Sequence, residues 1–151
     1  PFFSTALHEF SHAFFDLHNT PLFGREEDAA DQFAAYIILL LDNEVASRLV
    51  RGTAYSFQTE SKEQKSTSTI EFASEHGTAE QRYYNIFCLA YGADPINFSD
   101  LKSKNILPDD RVELCQDEFE QIEDAYNAVI LPHVDQPLAE KVWGKLEVRT
   151  K

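Results

Sequence analysis

Two histidines and a glutamate near the start of the chain have the residue types and the spacing to hold a metal ion and activate water. His8, Glu9 and His12 form an HExxH sequence. On a helix, side chains four residues apart lie on one face, so both imidazoles can reach a single cation. The carboxylate of Glu9 would project beside them and could accept a proton from water at the metal. The motif is short, and a surface helix that carries these residues only for solvation is the alternative.

A second acidic pattern downstream favours the metal interpretation. Glu27 and Asp31 lie four residues apart near the start of the next predicted helix. A helical hairpin with a short turn would bring them alongside the HExxH motif, where Glu27 can supply a third ligand. Asp31, one turn further, can accept the second ring N–H of a ligating histidine and fix its tautomer. Zinc prefers such tetrahedral nitrogen and oxygen ligands, with a fourth position left for water. The alternative is an acidic first turn that only caps a helix.

Helices should position these residues. Apolar residues recur with helical spacing over residues 2–18, and a turn around Asn19 and Pro21 follows. A second helix is predicted from Glu26 to about Val50, ended by Gly52.

The rest of the chain also has helical patterns and little strand-type alternation. Thr78 and Gln81 have the spacing of a capping box, which predicts a third long helix that reaches Tyr91. Further helices are predicted after Ser99, over residues 109–131 with Pro132 ending that helix, and over residues 137–151. The predicted fold class is therefore mainly α.

Length and composition predict one folded domain. Residues 1–151 are expected to form a single domain, truncated at its N-terminus because the chain begins with Pro and contains no Met. Hydrophobic residues make up 43% of the chain, which is enough for a core. Residues 58–69 include no hydrophobic residue, so we predict a flexible polar segment there, either a loop or a solvated helix face.

Charge and hydropathy exclude two classes of partner. The formal net charge is −13, and an acidic chain lacks the clustered cations that bind a phosphate backbone. No stretch approaches the roughly 20 apolar residues that span a bilayer. We therefore expect no nucleic-acid partner and no membrane-spanning segment in this chain.

The combined motif resembles that of a known clan of hydrolases. HExxH followed by ExxxD is the arrangement of the gluzincin metallopeptidases, in which two histidines and the later glutamate bind zinc. In that clan the glutamate within HExxH activates water and the later aspartate supports a ligand. The matching positions here are His8, His12, Glu27, Glu9 and Asp31. The resemblance thus implies Zn²⁺ as the cofactor.

The wider sequence is similar to a narrower group, a bacterial family of metallopeptidases of unknown function. The similar stretches, from about residue 3 to residue 120, are LHEFSHAFFD, PLFGREEDAADQFA, EHGTAEQRYYNIFCLAYGADP and DRVELCQDEF. The family usually has HExGH, and here Ser11 stands in place of the glycine; a serine is small enough to leave the ligands undisturbed. The resemblance implies a helical zincin-like domain whose HExxH helix packs against the helix that carries the third ligand.

Amide hydrolysis also needs a donor for the oxyanion, and gluzincins typically take a His, Tyr or Arg from outside the HExxH helix. The candidates within the similar stretches are His76, Arg82, Tyr83 and Tyr84. We select His76 as catalytic because it lies just before the capped helix, where a side chain can be aimed into a cleft. A hydrogen-bonded turn residue is its alternative, and Arg82 could instead pair with an acidic residue.

Two cysteines bear on the compartment. Cys88 and Cys115 are too few for a disulfide scaffold or a cysteine zinc site. They could form one bridge in an oxidising compartment, or remain two buried thiols. Both lie in stretches that resemble the family, and this favours a bridge and an exported, periplasmic or secreted, protein over a cytoplasmic one.

These patterns predict a zinc-dependent peptidase acting on a peptide or protein substrate. Metal-activated water would attack the peptide carbonyl, with Glu9 as general base. Two alternatives remain open: a zinc hydrolase of another amide substrate, and an inactive helical interaction domain that retains the zincin fold.

Overall fold

The computed structural model describes residues 2–63 and 73–143, and within these residues it contains helices and no strand. The mainly α fold class is therefore confirmed. The helices are α1 (Phe2–His18), α2 (Glu26–Leu39), α3 (Asn43–Glu63), α4 (Ala79–Ala93), α5 (Ser99–Ser103), α6 (Asp109–Val112), α7 (Cys115–Ala125) and α8 (Gln136–Trp143). Among the residues described, none of the helices combines the length and apolar character needed to cross a membrane.

The first two helices form a hairpin. The chain leaves α1 through Asn19, which adopts the left-handed conformation at φ 48°, while the N–H of Thr20 donates to the carbonyl of Phe15 at 2.9 Å. The predicted turn is confirmed. Phe15 and Phe33 then pack their rings edge to face, with centroids 6.1 Å apart, in a core between α1 and α2. The first turn of α2 lies beside the middle of α1, with Oε2 of Glu27 3.0 Å from Nε2 of His8.

The prediction of one helix from Glu26 to Val50 was wrong. Helix α2 ends at Leu39, and Asp42 starts a new helix by accepting the N–H of Val45 at 2.9 Å on its side chain. An aspartate at this position satisfies a backbone donor that a continuous helix would bond internally. Gly52 lies inside α3, since an interior glycine costs a helix only about 1 kcal/mol.

The polar segment predicted at residues 58–69 begins within α3. Residues 58–63 form the last turns of that helix, so this part corresponds to the solvated helix face. Residues 64–69 lie outside the described residues. The neighbouring prediction at Thr78 is confirmed, because Thr78 and Gln81 exchange both hydrogen bonds of a capping box at 3.2 and 2.9 Å.

The helix predicted over residues 109–131 is interrupted. It divides into α6, α7 and a π-helical segment, Tyr126–Ile130. Pro132 does not stop it there, because a 3-10 turn over Leu131–His133 takes the proline in its first turn, where a proline N–H is not needed. The tail helix is present as α8, and residues 144–151 lie outside the described residues.

Helices α4 and α7 are joined at the centre of the larger core. Cys88 and Cys115 form a disulfide, and both are completely buried. The surrounding core draws large apolar side chains from several helices and the loops between them, including Ile38, Val50, Phe98, Leu101 and Leu107. The bridge predicted on resemblance is therefore present in the structure.

Gly92 allows α4 and α7 to approach closely, and we expect Gly92→Ala to be strongly destabilising. An added Cβ would lie 2.1 Å from the backbone oxygen of Cys115, which cannot move without shifting α7. Overpacking of this kind costs about 3 kcal/mol. Gly52→Ala is the matched control, because nothing lies within 4 Å of its added Cβ and alanine favours the helix by up to about 1 kcal/mol. Thermal unfolding of both variants should shift in opposite directions; equal shifts would contradict the close-approach argument.

Candidate metal centre

Helix α1 presents both histidines of the HExxH sequence to α2. The Nε2 atoms of His8 and His12 lie 3.2 Å apart, and the rings meet edge to face with centroids separated by 4.8 Å. His8 is buried, whereas His12 keeps a quarter of its side chain exposed. Ser11, on the same helix, is fully buried and donates its hydroxyl to the carbonyl of His8. A small residue at position 11 therefore fits the space available.

The first turn of α2 brings Glu27 to the same point. Its Oε2 lies 3.0 Å from Nε2 of His8 and 3.4 Å from Nε2 of His12. The three atoms form a nearly equilateral triangle with sides of 3.0 to 3.4 Å. A tetrahedral ion with bonds of about 2 Å keeps its ligand atoms about 3.3 Å apart. Two imidazoles and one carboxylate in this triangle therefore fit a zinc-like ion.

Each of the two histidines makes a hydrogen bond to a carboxylate through its Nδ1 atom. Nδ1 of His8 donates to Oδ1 of Asp31 at 2.9 Å, and Nδ1 of His12 donates to Oε1 of Glu26 at 2.7 Å. A proton held on Nδ1 leaves the Nε2 lone pair directed at the centre of the triangle. The structure thus brings Asp31 to the predicted position. Sequence reasoning missed Glu26; its signal was a second carboxylate directly before Glu27.

Arg82 is engaged in an ion pair. Its Nε donates to Oδ2 of Asp31 at 2.6 Å and its terminal NH2 group donates to Oδ1 at 2.8 Å. The guanidinium also lies over the ring of Phe57, 4.3 Å from its centroid. Of the two interpretations of Arg82, the structure supports pairing with an acidic residue.

The hydrogen bonds of Asp31 shift two pKa values in the site. The hydrogen bond to Asp31 raises the pKa of His8 in spite of the opposing effect of burial. Burial alone would raise the pKa of Asp31, but its hydrogen bonds with His8 and Arg82 hold that pKa below its usual value. Asp31 is therefore ionised at neutral pH and accepts from both neighbours.

His76 reaches the centre from the turn before α4. Its Nε2 lies 2.8 Å from Oε2 of Glu27, and its ring is stacked on that of His8 with centroids 6.0 Å apart. The side chain is 46% exposed, so it lies at the mouth of the site. The structure thus brings His76, predicted from a turn position, next to the predicted ligands.

A cleft of about 450 Å³ opens beside His8. Glu9, His8 and His76 line it together. Its apolar lining comes from α2, α3 and α4 through Ala34, Ala35, Ile38, Phe57, Ile86 and Leu89.

Tyr83 and Tyr84 face elsewhere. The ring of Tyr83 meets those of Tyr84 and Phe87 edge to face, with centroids 5.2 and 4.9 Å apart. Both tyrosines pack against the larger core and are not among the described residues that line the cleft. Of the four candidates for an oxyanion donor, His76 is the one beside the histidines with its side chain open to the cleft.

The chain belongs to the family described as "Putative metallopeptidase", whose model matches residues 1–130. A metal is therefore expected from the family as well as from the geometry of the site. Comparisons with curated proteins and with solved structures gave no match.

Proposed function

We propose that the chain is a zinc-dependent peptidase that hydrolyses peptide bonds. His8, His12 and Glu27 would hold the ion. The observation that carries the proposal is the triangle of their ligand atoms, with sides of 3.0 to 3.4 Å, in a chain of a metallopeptidase family. The chemistry of two imidazoles and one carboxylate, with a fourth position free for water, is that of catalytic zinc.

When bound, zinc supplies a Lewis acid that lowers the pKa of water and polarises a carbonyl. The chain itself supplies the proton transfers. Glu9 lies one residue after His8 and lines the same cleft, so its carboxylate can take a proton from the attacking water. The same carboxyl group then delivers that proton to the departing amine nitrogen.

His76 is the proposed donor to the oxyanion. Its position at the mouth of the cleft lets a ring N–H reach a carbonyl oxygen that gains negative charge. Its Nε2 lies 2.8 Å from Oε2 of Glu27, so the ring is held beside the proposed ligands. Asp31 and Glu26 would act on the other side of the site by holding the two imidazole rings in place.

The Cys88–Cys115 disulfide supports an exported location. Disulfides persist in the periplasm and outside the cell and are rare in the reducing cytoplasm. We therefore propose that the protein is periplasmic or secreted and meets its peptide substrate there.

Metal content and cleavage together test the proposal. Purified protein should contain about one zinc ion per chain by elemental analysis. It should cleave a panel of unstructured peptides, lose activity with a zinc chelator and regain it with added zinc. An inert interaction domain would purify without zinc and leave every peptide intact. A zinc hydrolase of another substrate class would carry zinc but cleave only non-peptide amides.

A further inference from the structure

We infer that Arg82 is a positioning residue of the proposed metal site, acting through Asp31 to fix the ring of His8. This inference rests on the proposed function. The three side chains form a continuous relay: Arg82 donates two hydrogen bonds to Asp31, and Asp31 accepts a third from His8. The relay joins α4, α2 and α1 across 51 and 23 positions of sequence.

The geometry of the relay fixes the orientation of Asp31. Oδ1 of Asp31 accepts both from Nδ1 of His8 at 2.9 Å and from Arg82 at 2.8 Å, while Oδ2 accepts from Arg82 alone at 2.6 Å. Two parallel bonds from a planar guanidinium prevent the carboxylate from rotating. The oxygen that holds His8 therefore has one position, and the Nε2 lone pair of His8 has one direction.

Arg82 is itself held on its other side. The ring of Phe57 in α3 lies under the guanidinium at 4.3 Å, and only 18% of the Arg82 side chain is exposed. A lysine could supply the charge but neither the two parallel bonds nor the flat surface that stacks on Phe57. The structure therefore calls for an arginine at position 82.

The relay also gives both oxygens of Asp31 a donor. A partly buried carboxylate that faced His8 alone would have one donor for two oxygens. Arg82 donates to the second oxygen. Loss of Arg82 would favour a rotated or hydrated Asp31 and free the ring of His8.

Zinc affinity, measured on the full chain by competition with a chelating dye, tests the inference. Arg82→Gln should weaken zinc binding by about 10- to 100-fold, as the loss of a group that supports a metal ligand through hydrogen bonds does at other zinc sites. Arg82→Lys should lie between Arg82→Gln and the unaltered protein. The readout is binding, so it does not depend on catalysis.

Arg51 provides a matched control for general loss of stability. It makes the same type of bidentate contact, to Asp100 at 2.8 and 3.2 Å, and its guanidinium lies over Phe98 at 5.5 Å. Arg51→Gln should lower the thermal unfolding temperature without changing zinc affinity. If Arg51→Gln weakens zinc binding as much as Arg82→Gln, the effect is general destabilisation and the inference is overturned.

A double-variant cycle tests the route through Asp31. Asp31→Asn removes the anionic acceptor at nearly constant shape, and Arg82→Gln added to it should weaken zinc binding by no more than about twofold. Fully additive losses would overturn the relay. So would unchanged affinity in both Arg82→Lys and Arg82→Gln. Failure of the proposed metal site is distinguishable, because the unaltered protein would then bind no zinc. Failure of peptide cleavage alone would leave zinc binding and the comparison of the variants intact.

Discussion

Replacing Glu9 by glutamine should stop peptide hydrolysis and leave the metal in place. Glutamine has nearly the shape of glutamate but cannot accept a proton, so the attacking water would lose its general base. Such a loss lowers kcat by about 10²- to 10⁴-fold. Glu9 lines the cleft on the exposed side of α1 and contributes no atom to the triangle of ligands. Zinc content should therefore stay at the level of the unaltered protein.

The loss of cleavage and the retention of zinc are measured separately. Cleavage of a fluorogenic peptide would report kcat and KM, and elemental analysis of the same sample would report zinc. Asp16→Asn on the exposed face of the same helix is the control, and it should change neither quantity. A Glu9→Gln variant that cleaves peptides at the unaltered rate would remove Glu9 from the mechanism, even if zinc is present.

The cluster of His8, His12 and Glu27 was predictable from sequence because short-range geometry determines most of it. Two residues four apart on a helix share a face whatever surrounds that helix. Asn19 could be recognised as a left-handed helix end, and a turn at this position makes the next helix fold back along α1. The connection over residues 19–25 is long enough to return along α1, and the start of α2 lies beside the middle of that helix, where Glu27 meets His8 and His12.

The partners of Asp31 and His12 could not be predicted in the same way. Arg82 meets Asp31 only because α4 packs against α2, and any of 26 acidic residues was an available partner in the sequence. In the sequence, Glu26 is part of an acidic first turn that suits the helix dipole. Its contact with His12 depends on how far α2 is rotated about its own axis.

The end of α2 at Leu39 was not predicted from the sequence. The apolar run that ends α2 continues the helical pattern, and the sequence signal for a stop is the cap residue Asp42, whose cost inside a helix is small enough for a long helix to tolerate. Tertiary packing decided between the two, since Ile38 and Val50 enter the same core from different helices. Periodicity predicts that residues are helical better than it predicts where one helix becomes two.

Replacing Glu27 by alanine should remove the metal. The variant leaves only the two imidazoles of His8 and His12 in the triangle, and the carboxylate that balances part of the ion's charge is gone. The affinity for zinc should fall by more than the roughly 10- to 100-fold expected when a group that only hydrogen-bonds to a ligand is lost. The purified variant should therefore contain little zinc by elemental analysis.

The same variant should lose the stability that zinc confers. A ligand at about 1,000 times its Kd stabilises the folded state by about 4 kcal/mol, so unaltered protein should unfold at a higher temperature with zinc than with chelator. Glu27→Ala should unfold at one temperature in both conditions. Asp28→Ala is the control, because Asp28 pairs with Arg25 at 2.7 Å and belongs to the same acidic turn without entering the triangle. If Glu27→Ala retained both zinc and its stabilisation, the third ligand would have to be another residue, and His76, 2.8 Å from the same oxygen, would be the first to test.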